Sequence, residues 1–213
     1  MDANTEKYLS GRTAFERFSA GALIVMLSPL LVVVGVLIRV KMGGPVLFRQ
    51  QRIGQHGKPF EIIKFRTMVA NAEQLGGGYI PSEMNLVPPF GQFLRSTSLD
   101  ELPQLINIFR GQMSFVGPRP TLPQQYARYT PEQARRVLVP QGITGLAQIT
   151  YRNEATWSQR IMKDLEYVES VSLITDLKLI LRTFSKVIRS EGVVNDQTVA
   201  DVDDLGQTIR SAE

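Results

Sequence analysis

Residues 18–38 read FSAGALIVMLSPLLVVVGVLI, twenty-one residues without a charge. As a helix they would be roughly 30 Å long, about the hydrocarbon thickness of a bilayer. Few soluble folds have a place for such a segment. It can be a membrane element or a helix buried on every side. Arg39 and Lys41 follow at once and no small-residue cleavage site is visible, which argues against a cleaved signal peptide. Ser28-Pro29 lies at the centre. Pro29 removes a backbone donor and crowds the preceding turn, so a kink or break is expected there. Arg12 and Arg17 precede the segment, and the basic residues after it make both flanks positive. Positive flanks favour the cytoplasmic side. Charge and proline together leave two arrangements open: a helix that enters the membrane, turns at Ser28-Pro29 and returns, or a spanning helix with a tolerated proline.

The rest of the chain excludes several chemistries. There is no Cys and a single His, His56. Disulfides, thiolate nucleophiles, zinc sites of His and Cys, and a His-based triad are therefore set aside. Catalysis would have to use carboxylates, Lys, Arg, Tyr or hydroxyls. The net charge of +4 suits anionic partners. Between Arg39 and Arg66 seven basic residues face one acid, Glu61, whereas residues 191–213 carry six acids against Arg210. That polar tail reads as mobile or peripheral.

Residues 45–54 and 59–68 predict two strands joined by a turn that holds His56, a hairpin. Residues 71–85 are rich in glycine and read as a loop. A helix is expected to end near Gly111. Prolines at 118, 120 and 123 hold the next stretch extended. Thr130-Pro131 suits a helix start, 140–153 a loop or short strand. One long element is expected from about Thr156 to Ser190. In its second half Leu177, Ile180, Leu181, Phe184 and Ile188 recur at helical spacing between Lys178, Arg182, Lys186 and Arg189, making a basic amphipathic helix.

SLDELPQL, 98–105, places Asp100 beside Glu101. Alone, Ser98-x-x-Glu101 reads as a capping box, with Asp100 at the positive end of the helix dipole. The neighbourhood adds a second reading. Arg95 lies five residues earlier, Arg119 sits between Pro118 and Pro120 in GPRP, and Lys64 and Arg66 lie in KFRTM. Such cations around two carboxylates are either ion pairs or a diphosphate site, with carboxylates and Mg²⁺ facing the phosphates. A rigid GPRP would hold an Arg fork in place.

SLDELPQLINIFRGQMSFVGPRP, with KFRTM upstream and GITGLAQ downstream, resembles the bacterial sugar transferases, the small monotopic phosphoglycosyl transferases. The resemblance covers about Arg12 to Val193. It implies an α+β monotopic membrane protein: a re-entrant helix broken at Ser28-Pro29, a small cytoplasmic domain containing the hairpin, and amphipathic interfacial helices. It divides the chain into 1–40, 41–192 and an acidic tail, 193–213. It implies transfer of a sugar-1-phosphate from a UDP-sugar to a polyprenyl phosphate such as undecaprenyl phosphate, releasing UMP, at the cytoplasmic face of the bacterial inner membrane. Asp100 would be the nucleophile of a covalent intermediate, and Glu101 would help hold Mg²⁺, with Asp100, or the active geometry. Arg95 and Arg119 match phosphate-binding positions; Lys64 and Arg66 would be supportive, and Pro118 and Pro120 frame the fork. Gln148, Asn153 and Trp157 fall in the matching downstream region without an assigned role. Ile149-Thr150-Tyr151-Arg152-Asn153 replaces the family's frequent Asn-Gly-Arg-Asn run, which touches sugar-side contacts. Membrane lipid is an expected partner and nucleic acid is not, because the basic stretch lacks interleaved aromatics. Exposed helix faces permit a homodimer. The competing readings are an anchored glycosyltransferase that releases UDP and a non-enzymatic, membrane-tethered anion binder.

Overall fold

The computed structural model describes residues 3–69, 86–151, 155–188 and 204–205. Helix α1 spans Ala3–Met42. It is followed by an antiparallel hairpin, β1 (Leu47–Ile53) and β2 (Pro59–Phe65), with Leu47 opposite Phe65 and Ile53 opposite Pro59. His56 sits exposed in the turn with φ of 56°. Helix α2 (Pro89–Ser96), a 3₁₀ turn (Leu99–Gln104) and α3 (Leu105–Phe109) come next. Strands β3 (Ser114–Val116) and β4 (Gly142–Thr144) pair in parallel. Between them lie the short helices α4 (Pro123–Tyr126) and α5 (Pro131–Ala134). Three helices follow β4: α6 (Leu146–Thr150), α7 (Trp157–Glu169) and α8 (Leu173–Ile188). The architecture is α+β, as expected, and predominantly helical.

Helix α1 is the spine. Leu9, Arg12, Glu16 and Ala20 are buried, as are Val34 and Ile38, and the half-buried Leu23, Leu27 and Leu31 fill the turns between them. Steps of three or four residues from 9 to 38 make one continuous stripe. Each of the three apolar clusters among the described residues contains part of it: Leu9 in the first, Ala20 in the second, Val34 and Ile38 in the third. The other faces are bare. Only 11% of the most apolar 18-residue window is buried, so α1 is no core helix of a soluble domain.

The interruption expected at Ser28-Pro29 does not appear as a gap in the helix, because Pro29 lies inside α1. The physical reason is local. Proline cannot donate to the carbonyl four residues back, Val25. The hydroxyl of Ser28 donates to that same oxygen at 2.8 Å, so the carbonyl stays paired.

Both halves of α1 are bolted to the folded domain. Near its start, Arg12 donates to Asp176 Oδ2 at 2.6 Å and to the Tyr167 hydroxyl at 2.8 Å. Glu16 accepts from the Ser114 hydroxyl and the Phe115 backbone amide. Arg17 donates to the Phe109 carbonyl at the end of α3. At the other end, α1 stops at Gly43, whose φ of 75° suits the left-handed residue after a helix. Arg66, at the end of β2 and 5% exposed, donates to the carbonyls of Met42, Gly43 and Gly44 at 2.6–2.8 Å.

Two expectations are corrected. The long element after Thr156 is two helices, turned at 170–172, where Ser170 caps α7 through the Glu166 carbonyl and Ser172 receives the Thr175 amide. Within 140–151, the short strand expected there is β4, and the helix α6 follows it. The acidic tail is not wholly peripheral: Asp204 accepts the Ser158 amide at the start of α7, and Leu205 is 4% exposed with its carbonyl held by Arg128. The glycine-rich segment 71–85 lies outside the described residues.

Arg66→Lys should cost about 2–4 kcal/mol, because one ammonium cannot hold three carbonyls in the guanidinium's fork geometry. Thermal unfolding in detergent checks this, and an unchanged midpoint would remove Arg66 from the end of α1.

Candidate active site

The Asp-Glu pair is placed by backbone geometry. Ser98 adopts φ of 57°, a left-handed conformation unusual for serine, and turns the chain from α2 into the 3₁₀ turn that carries Asp100 and Glu101. Its side chain caps nothing, so the capping-box reading fails. The turn is then fastened to β2 through Asn107, which is fully buried on α3. Asn107 Oδ1 accepts the Ile63 amide at 3.0 Å, and its Nδ2 donates to the Glu61 carbonyl at 2.7 Å and to Gln112. One amide side chain thus completes the outer edge of β2 and sets Lys64 against Glu101.

GPRP is held carbonyl by carbonyl. Pro118 O accepts from the Gly142 amide at 2.9 Å, Arg119 O from Arg136 Nη2 at 2.9 Å, Pro120 O from Arg52 Nη1 at 3.3 Å, and Thr121 O from the Ile53 amide at 2.9 Å. Arg136 is itself buried, paired with Asp164 and hydrogen-bonded to the Tyr129 hydroxyl. A side chain at Gly117 or Gly142 would overlap the facing backbone, so these glycines permit the close approach of the two parallel strands.

The result is a cleft of about 1030 Å³ lined by Lys64, Arg95, Asp100, Glu101 and Arg119, among others. Arg66 also lines it, but its guanidinium is committed to the end of α1. Glu101 Oε1 takes two charged partners, Lys64 Nζ at 2.6 Å and Arg119 Nη2 at 2.9 Å. Asp100 has no hydrogen-bond partner among the described residues. Arg95 donates through Nε to the Thr67 hydroxyl at 2.9 Å, which leaves its two Nη groups open.

The two neighbouring carboxyls are driven apart. Burial and the adjacent Glu101 charge push Asp100 up to about 6, against the pull of Lys64, Arg119 and Arg95. Burial would raise Glu101 too, but Arg119 and Lys64 outweigh it and hold it down to about 2. Burial and then Arg119 lower Lys64, although Glu101 pulls the other way. The pair is charged: a 2.6 Å contact to a carboxylate this acidic is a charge-assisted hydrogen bond. Arg119 is raised by Glu101, and Arg95 lowered by burial. Three cations against two carboxylates leave a site that attracts an anion and still contains one uncommitted carboxylate.

The structure therefore gathers Lys64, Arg66, Arg95, Asp100, Glu101 and Arg119 around one cleft, with Pro118 and Pro120 flanking the fork. Gln148 lines the cleft, with its carboxamide buried and unpaired. Trp157 instead begins α7, under Arg160. Asn153 lies outside the described residues. Sequence reasoning missed Thr67, Asn107 and the Arg136–Asp164 pair, and nothing local in the sequence signals their partners.

A family model for bacterial sugar transferases matches residues 7–190. The chain belongs to the bacterial sugar transferase family. Among its relatives is the uncharacterized sugar transferase EpsL of Bacillus subtilis, 46% identical over 156 residues, 73% of this chain and 76% of the relative. The UDP-glucose:undecaprenyl-phosphate glucose-1-phosphate transferase of Caulobacter vibrioides is 38% identical over 81% of this chain and 68% of its own. The undecaprenyl-phosphate galactose phosphotransferase of Salmonella typhimurium is 34% identical over 70% of this chain but only 35% of its own. The match thus covers this sugar transferase from Lys7, the fifth residue of α1, through the whole of α8.

Glu101→Gln should lower the Asp100 pKa from about 6, since it deletes an adjacent charge and frees Lys64 and Arg119 to face Asp100. It should also destabilise the fold by about 3 kcal/mol, because two partly buried cations lose their counter-charge. Infrared titration of isotope-labelled aspartate, alongside thermal unfolding, checks both.

Proposed function

We propose that this sugar transferase moves a sugar-1-phosphate from a UDP-sugar to a polyprenyl phosphate by way of a covalent Asp100 intermediate. The observation that carries this reading is the division of labour between adjacent carboxylates. Glu101 absorbs Lys64 and Arg119, and Asp100 stays unpaired in the same cleft. A nucleophilic carboxylate must be free, and cations must lie close enough to meet a diphosphate.

In the first half-reaction an Asp100 oxygen attacks the phosphorus that bears the sugar. The bond from that phosphorus to the UMP oxygen breaks, and UMP leaves with the electron pair. Arg95, through its open Nη groups, and Arg119, through the face not turned to Glu101, receive the phosphate charge. In the second half-reaction a phosphate oxygen of the acceptor attacks the same phosphorus. The acyl phosphate bond breaks, Asp100 is restored, and a polyprenyl diphosphosugar is released.

The donor set suits Mg²⁺, which is bound by one or two carboxylates together with substrate phosphates and water. Asp100 and the second oxygen of Glu101 would hold it. When bound it supplies charge neutralisation of the diphosphate. No cluster of three or more acidic, Cys or His ligands exists among the described residues, so substrate phosphates and water would complete the coordination.

We further propose that α1 is re-entrant and that the domain lies on the cytoplasmic face of the inner membrane. Support comes from the two bolts: Arg12 to Asp176 near one end of α1 and Arg66 to Met42 at the other belong to the same folded domain. A helix whose ends meet one domain is poorly suited to leave those ends on opposite sides of a bilayer. The Ser28 hydroxyl allows a bend at Pro29 without an orphaned carbonyl in lipid.

Asp100→Asn should abolish UMP release and trap no labelled phosphosugar; release of UDP by the wild type would replace this reading with ordinary glycosyl transfer. The nucleophile is the ionised form, and its pKa is raised. The kcat/KM of the first half-reaction for the UDP-sugar should therefore rise as pH passes through about 6 and level above it. A profile flat from pH 5 to 8 would contradict the assignment. A cysteine placed at residue 2 should react with an impermeant maleimide in inverted vesicles and not in right-side-out ones; the reverse would make α1 a spanning helix.

A further inference from the structure

The cleft does not end at its charged wall. Ile149 of α6 and Thr183 and Phe184 of α8 also line it. Phe184 is 63% exposed, and it belongs at the same time to an uncovered apolar stripe on α8, Leu173, Leu177, Leu181 and Phe184, at steps of four, four and three. The stripe is rigidly presented. On the inner side of the same helix, Leu179 enters the first apolar cluster and Asp176 anchors Arg12 and Tyr167. This end of the cleft also lacks spare hydroxyls: Thr144 and Thr183 bond each other at 2.7 Å, and Thr183 donates to the Leu179 carbonyl. Lys178 and Arg182 lie exposed beside the stripe.

The geometry points to Phe184, with Ile149, as the subsite that receives the isoprenoid chain of the acceptor and leads it from the cleft onto the apolar face of α8. The inference rests on the proposed transfer to a polyprenyl phosphate. It follows from the two-ended character of the cleft. An isoprenoid phosphate has an anionic head and a hydrocarbon tail. Arg95 and Arg119 suit the head, and the apolar side chains of Ile149 and Phe184, the latter continuous with a bare helix face, suit the tail. Phe184 is the residue that belongs to both cleft and stripe.

The test separates chain binding from membrane attachment. Phe184→Ser and Leu177→Ser are made in the full-length protein in nanodiscs. Both positions are exposed, so neither change threatens the fold, but Leu177 is absent from the cleft lining. The burst of UMP without acceptor reads the first half-reaction, and KM for undecaprenyl phosphate reads the second. Phe184→Ser is expected to keep the burst and raise the acceptor KM about tenfold, with a smaller effect on a two-isoprene phosphate. Leu177→Ser, farther along the stripe and outside the cleft, is expected to keep the burst and to raise the acceptor KM by clearly less than Phe184→Ser. Equal rises for the two variants would mean that α8 acts only by holding the membrane, and an unchanged KM for Phe184→Ser would place the chain elsewhere; either overturns the subsite. A wild type that releases no UMP fails the parent reading itself, which distinguishes that failure from this one.

Discussion

One stripe along α1 organises the molecule. A helix with an apolar surface this large has to satisfy two solvents. Its bare faces suit hydrocarbon, and its stripe from Leu9 to Ile38 supplies part of each apolar cluster among the described residues. Apolar contact alone would hold such a helix weakly against lipid, because lipid tails are as apolar as leucine. The polar bolts resolve this. Arg12, Glu16 and Arg17 tie the first half to α8, β3 and α3, and Arg66 ties the end to β2. Hydrogen bonds have direction, so they set the rotation and depth of the domain about α1 where hydrophobic burial would not.

The site inherits that rigidity. β2 carries Lys64, which pairs with Glu101, and runs directly into Arg66, which ends α1. Asn107 then fixes the Asp-Glu turn to the same strand. Helix α1 and the Asp100-Glu101 pair are separated by a few short, hydrogen-bonded connections. The GPRP segment is fixed independently from behind, through Arg136 and Asp164. Two rigid supports thus meet at Glu101, which receives one cation from each.

That meeting explains why adjacent carboxyls behave differently. Both are partly buried, and desolvation alone would raise both. Glu101 faces Lys64 and Arg119 directly and becomes a strong acid; Asp100 feels the Glu101 charge and loses the contest for cations. Environments that push two carboxyls apart are the usual means of assigning them different work. Here Glu101 acts as a structural counter-charge, which leaves Asp100 available.

The α+β class, the hairpin, the apolar helix and the residue types of the site were legible in the sequence, because each rests on local chemistry: a run of uncharged residues, alternation around a turn, carboxylates and cations in short motifs. The corner at 170–172, the docking of Leu205 and the true work of Ser98 and Arg66 were not. Ser98 and Glu101 have the spacing of a capping box, but Lys64 and Arg119 claimed the Glu101 side chain. Arg66 has the look of a phosphate ligand, but the carbonyls of 42–44 claimed it first. The sequence by itself determined that the chain would bear a long apolar helix and a cluster of cations around two acids. Only the tertiary structure decided which acid each cation would face, since the partners lie up to 37 residues apart and a donor bonds whichever acceptor the folded backbone brings within 3 Å, whatever its place in the chain.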